Sequence, residues 1–221
     1  MKRILLYIYI FFLCGYISAT EKSEFSPELT DVGVQVFGGV TTGLGGIDVA
    51  SHHPAGEGGF GILFEFYLIE AITLKTGIDV SYDCRRFKTK SSGAFDDGKT
   101  SLSYFRLTLP FLAKIPLFDN ERKNILSALA GIDLSCIVGN QTYQDGWGVI
   151  MESFIYPLFN VSFVTGIECT LPMGPGKIDI GLRASFDLFE QKYEHNGETV
   201  NTGRFVRFVP TIGYTLPLSA F

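Results

Sequence analysis

Three histidines, a handful of cysteines and a set of regularly spaced charges are the residues from which this chain could build chemistry. His52 and His53 stand together in DVASHHPAGE, just after Asp48, and His195 stands alone in YEHNGETVNTG. An imidazole near a carboxylate can serve as a general base or a metal ligand. Adjacent histidines on a polar, glycine-bearing segment rarely share one ion, and no catalytic cysteine–histidine pair or phosphate-binding glycine loop is present. Neither catalysis, nor a metal site, nor a cofactor is therefore expected. Cys84, Cys136 and Cys169 are an odd, sparse set on the apolar parity of their segments, which suits packing as small hydrophobes rather than a disulfide framework. NQT at 140–142 fits a glycosylation sequon, which matters only in a host cell that glycosylates.

The charges are more informative because of their spacing. In GKIDIGLRASFDLF (176–189), Ile178, Ile180, Leu182, Ala184, Phe186 and Leu188 take every second position, and Lys177, Asp179, Arg183 and Asp187 fall between them. A period of two means a strand with opposite faces. The same template predicts eight strands, at about 31–42, 58–68, 71–86, 101–115, 124–138, 157–171, 176–189 and 204–216. Pro110, Pro210 and Pro217 predict local irregularity or termination, since each removes a ladder donor. The intervening segments alternate between long polar stretches and short turns. An even number of strands joined in that way describes an antiparallel up-and-down barrel. The fold expected is all-β: an eight-stranded transmembrane barrel with long extracellular loops and short periplasmic turns.

A barrel with this pattern could face either way. A lipocalin-like lipid carrier would turn its apolar face inward, whereas an outer-membrane barrel turns it toward lipid. The polar face decides, because it is rich in Gly61, Gly77, Gly131, Gly166, Gly181 and Gly213, as a narrow interior requires. Its acids are Glu65, Asp79, Asp83, Asp133, Glu168, Asp179 and Asp187; its bases are Lys75, Arg85, Arg106, Lys114, Lys177, Arg183 and Arg207. Seven against seven permits full pairing, which enclosed charges need. A turn centred on Glu70 would set Glu65 across from Lys75. On the apolar face Phe60, Tyr82, Phe105, Phe159, Phe186 and Phe208 fall toward the long-loop ends, and Phe111 and Tyr214 toward the other rim, as interfacial aromatics would.

MKRILLYIYIFFLCGYISA has the layout of a secretory signal: Lys2 and Arg3, an apolar run, then Ser18 and Ala19. Residues 1–19 read as signal peptide, 20–30 as a short periplasmic segment and 31–221 as the barrel; lipidation at Cys14 is a rival reading. Loss of Lys2 and Arg3 moves the formal charge from −5 to −7, which gives no reason to expect a nucleic-acid partner.

SYFRLTLPFLAKI (103–115) and FVTGIECTLPMGPGKIDIGLRASFDLF (163–189) resemble the small eight-stranded outer-membrane barrels of the OmpX, OmpA and PorT groups, and Phe221 resembles their terminal aromatic insertion signal. TLPLSAF departs from that pattern at Pro217. Some barrels of this size are lipid-modifying enzymes, but the His-x-Ser-Asn run of the lipid A deacylases is missing. The resemblance implies residence in the outer membrane of a diderm bacterium. Its implied partners are outer-membrane lipid, the assembly machinery acting through the C-terminus, and an extracellular or host ligand at the loops. The function expected is non-enzymatic, with a charge-plugged lumen; a narrow channel is the first alternative and a soluble lipid carrier the second.

Overall fold

A strand that is apolar on one face and polar on the other must hide one of them, and a set of such strands can do so by closing on itself. The computed structural model, which describes residues 27–46, 48–69, 72–89, 99–119, 125–144, 149–151, 154–156, 159–195 and 198–220, has that closed form. Its staves are β1 (Glu28–Leu44), β2 (Ala55–Ile69), β3 (Ile72–Thr89) and β4 (Lys99–Asp119), then β5 (Ile125–Gln144), β6 (Phe159–Met173), β7 (Gly176–Asp187) and β8 (Glu198–Pro217). Each pairs antiparallel with the next. β8 pairs back onto β1, Asp31 opposite Pro217 and Leu44 opposite Arg204, so the eight staves form a closed barrel. The rim at Leu44 and Ala55 is termed upper here, and the rim at Glu28 and Ile69 lower.

The eight expected strands are all present, and most run further than the periodicity indicates. β1 begins at Glu28, so the end of the 20–30 segment belongs to the barrel; the 1–19 leader lies outside the described residues. β8 begins at Glu198 rather than 204. These extensions occur where a strand needs no apolar face. Short strands continue the upper sheet: 49–53 on β3, 149–151 on β5, 191–195 on β8, and 154–156 on 191–195. His52, His53 and His195 therefore lie on paired strands, not on irregular loop.

The prolines act as their missing donors require. The β3–β4 register skips from Thr76↔Phe111 to Asp79↔Thr108 around Pro110, while β5 stays paired through Pro110↔Asp133. The β1–β8 register skips from Phe37↔Thr211 to Val40↔Phe208 around Pro210, while β7 stays paired at Leu182↔Pro210. Pro217 ends β8, and Leu218–Ala220 forms a single 3-10 turn. Tight closure shows at Gly131, where a Cβ would run into the carbonyl oxygen of Phe111 and the Cα of Leu112.

Candidate functional site

Residues on the polar parity of all eight strands converge on one narrow bore, and burial divides the two faces cleanly. Lys75 is 1% exposed, whereas Phe159 on the outer wall is 73% exposed. Twelve of the fourteen expected lumen charges are buried. Asp133 is half-buried and lines a cavity of about 40 Å3 with Arg106, Arg183 and Arg207. Lys177 is half-exposed at the lower rim, where its ammonium donates to both carboxylate oxygens of Asp31, at 3.0 and 3.2 Å.

The lower cluster draws on five strands. The β2–β3 register places Glu65 opposite Lys75, as the expected turn implies. Lys75 reaches past it across the bore: its Nζ lies 2.6 Å from Glu168 Oε2, 3.6 Å from Asp179 and 3.8 Å from Glu65. Lys114 contacts the same three acids at 2.9 Å (Glu168), 3.1 Å (Glu65) and 3.5 Å (Asp179). It also donates to Thr170 Oγ1, whose hydroxyl donates to Asp179 at 2.6 Å. Glu65, Glu168 and Asp179 could otherwise hold a metal ion, since their oxygens lie within 4.8 Å of one another. Two ammonium groups already stand among them.

The upper cluster uses arginine. Arg106 bridges Glu57 at 2.9 Å and Asp83 at 2.8 Å, and Ser81 donates to Asp83. Arg207 donates to Ser162 Oγ at 2.7 Å, Ser162 donates to Asp187 at 2.8 Å, and Gln191 donates to the other Asp187 oxygen at 3.2 Å. Arg85 differs. Its guanidinium lies 3.6 Å over the Phe205 ring and 5.3 Å from that of Tyr104, none of its nitrogens has a hydrogen-bond partner among the described residues, and Asp187 is 3.8 Å away. Val49, Phe87, Leu102, Tyr104 and Ile137 form an apolar cluster of buried residues at this end of the barrel. Between the clusters Arg183 donates to Gln35 Oε1 at 3.1 Å, and Gln35 donates to Asp79 at 2.6 Å. Gly61 makes room for that carboxylate, because a Cβ there would overlap it.

Two expectations need correction. Asp31 and Glu57 are also buried pairing acids, which makes nine acids against seven bases among the described residues instead of seven against seven. Nor are charges alone on the inward face, since the apolar cluster of Phe87 and Leu102 and a second one, Leu112, Leu129 and Val164, are buried there too. Asp31 was missed as the very first residue of its expected strand, and Glu57 because it directly precedes the expected start at 58. The signal was available, since Glu57 continues the parity of Gly59, Gly61 and Glu65.

All eight expected interfacial aromatics point outward. Phe60, Tyr82, Phe105, Phe111, Phe159 and Phe208 are exposed, and Phe186 and Tyr214 are half-buried. Tyr82 and Phe105 face each other across β3–β4 with rings edge-on at 5.2 Å, and the Tyr214 hydroxyl donates to the Met173 carbonyl at the lower rim. Phe221 lies outside the described residues. An apolar belt around a closed antiparallel barrel with ionised groups inside is the architecture of one class. The fold is that of a small outer-membrane β-barrel. A lipocalin-like carrier needs the reverse polarity, so that alternative is overturned.

No protein-family model and no curated protein matches the chain. Among solved structures, the barrel is similar to the outer-membrane protein AlkL in lipid bilayers (13% identity, 89% of this chain and 93% of that chain, TM-score 0.47). It is also similar to neisserial surface protein A (14%, 82% and 95%, 0.39) and to Ail of Yersinia pestis (9%, 85% and 99%, 0.38). The barrel is defined by its closed register.

Proposed function

We propose that the chain is an integral outer-membrane protein whose barrel is a scaffold: non-enzymatic, closed to bulk solute, and presenting its upper-rim segments to the cell exterior. The observation that carries this reading is the polarity of the wall. Val34, Phe60, Phe159 and Ile212 are more than half exposed on a surface that water would penalise, while the charges are enclosed. A contiguous apolar belt of that kind belongs in hydrocarbon, and no soluble role accounts for it.

The ion pairs cross the bore from strand to strand, and the apolar cluster is buried at its upper end, which supports a lumen sealed to solutes. The upper segments around His52 and His195 are polar and joined to the sheet, the latter pairing with Phe154–Tyr156, which suits contact with an extracellular or host partner. Outer-membrane lipid is the surrounding partner, and the C-terminal strand is the point at which assembly machinery would engage.

Single-channel recording in planar bilayers tests the sealed bore. The purified chain is expected to give no steady conductance above background; stable openings would establish the narrow channel instead. Protease cleavage confined to the upper-rim segments on intact cells would fit the orientation, and cleavage only after outer-membrane permeabilisation would reverse it.

A further inference from the structure

The outer wall is studded with apolar side chains, yet near the upper rim it has a bare strip. The outward positions of β2 run Gly56, Gly58, Phe60, and the β1 residue opposite Gly58 is Gly38. The result is a trough of about 560 Å3 lined mainly by Val40, Gly56, Gly58, Tyr82, Cys84 and Arg86. That volume falls among those of small-molecule sites, roughly 300–1,000 Å3.

Packing does not demand these glycines. A Cβ built at the inward Gly39 or Gly59 would run into the neighbouring strand's backbone. One built at Gly38, Gly56 or Gly58 meets nothing closer than 3.6 Å. The inward glycines let the barrel close; the outward three leave space on a surface where side chains would fit.

The walls of that space are apolar, with Val40 and Tyr82 each 49% exposed. Its upper end reaches Arg86, which is exposed and whose side chain has no hydrogen bond or ion pair to a described residue. Lys88 continues the same outward face of β3 one step further up. A greasy trough ending at a guanidinium matches a molecule with a hydrocarbon tail and an anionic head, since arginine holds phosphate through paired N–H donors. We propose that the trough seats one anionic membrane lipid, its acyl chain along Gly38, Gly56 and Gly58 and its phosphate on Arg86. A second copy of the chain is the weaker fit, because two-fold docking on this strip would set Arg86 near its own equivalent.

The site presupposes the membrane reading above, so the experiment separates the two. Flotation of the full chain with lipid vesicles tests membrane insertion. Native mass spectrometry of the chain, exchanged through micelles with equal phosphatidylglycerol and phosphatidylcholine, tests the trough. The wild type is expected to retain one phosphatidylglycerol, favoured over phosphatidylcholine by about tenfold, the equivalent of roughly 1.4 kcal/mol. Gly56→Leu with Gly58→Leu is expected to lose both lipids, and Arg86→Gln to keep a lipid while the headgroup preference falls to parity. Heat-modifiable migration verifies that each variant is folded; should the leucine pair not fold, loss of preference in Arg86→Gln decides alone. The site is overturned if a floating wild type retains no lipid or shows no preference. It is overturned equally if the leucine pair retains lipid as the wild type does, or if a dimer takes the lipid's place. A chain that fails to float overturns the membrane reading and the site with it.

Discussion

At the lower end of the bore two lysines stand among three carboxylates; at the upper end three arginines stand among three carboxylates and a group of aromatic rings. The cations are not interchangeable. An ammonium is a compact point charge, and Lys75 and Lys114 each use it to reach the same three acids at once. A guanidinium is flat and longer, and Arg106 brings a single nitrogen, Nη2, to two acids while Arg85 lies flat on Phe205. The lower region is therefore held by charge balance, and the upper one as much by shape and stacking.

The largest effect is expected from breaking the lower region. Lys75→Met leaves three buried carboxylates around one ammonium and should cost about 3–5 kcal/mol of stability, read from urea unfolding in lipid vesicles. Adding Glu168→Gln should restore most of it, and a cost unchanged by that second substitution would show that charge balance is not what holds the cluster. Arg183→Leu, between the two regions, strands Gln35 and through it Asp79, and about 2–3 kcal/mol should be lost in the same titration. Arg106→Lys keeps the charge, but its ammonium sits one bond short of the Nη2 that meets both Glu57 and Asp83, so roughly 1–2 kcal/mol is expected. The smallest effect sharpens the contrast. Arg85→Met removes a buried cation whose nitrogens have no hydrogen-bond partner among the described residues, and Asp187 keeps Arg207, Ser162 and Gln191. The unfolding free energy should stay within about 1 kcal/mol of wild type, lost stacking offsetting relieved desolvation. A loss as large as that of Lys75→Met would erase the distinction between the two ends.

Alternation made the barrel legible because lipid on one side and a narrow bore on the other impose opposite demands on successive residues. Val32, Val34 and Val36 on β1, or Lys177, Asp179 and Arg183 on β7, obey both demands, and even the Glu65–Lys75 pairing follows from counting through the turn. The pattern fades where one demand lapses. Above the belt neither face meets hydrocarbon, so 49–53 and 191–195 read as polar loop although they pair as strands. The inward apolar cluster was missed for a related reason. Phe87, Leu102 and Phe205 are apolar residues on the polar parity, and a two-letter reading of faces has no category for grease inside the bore. Arg183's link to Asp79 through Gln35 was equally invisible, since an amide relay between strands far apart in sequence leaves no local trace.

The seam between β1 and β8 joins the first and last staves of the cylinder. No partial chain can complete the ring, because Asp31 waits for Pro217, the final residue of the final strand. Until translation and delivery are finished, both outer edges stay unzipped and the buried ions lack their enclosure. Closure of the ring is therefore a late, long-range pairing, and the enclosure of the ions depends on it.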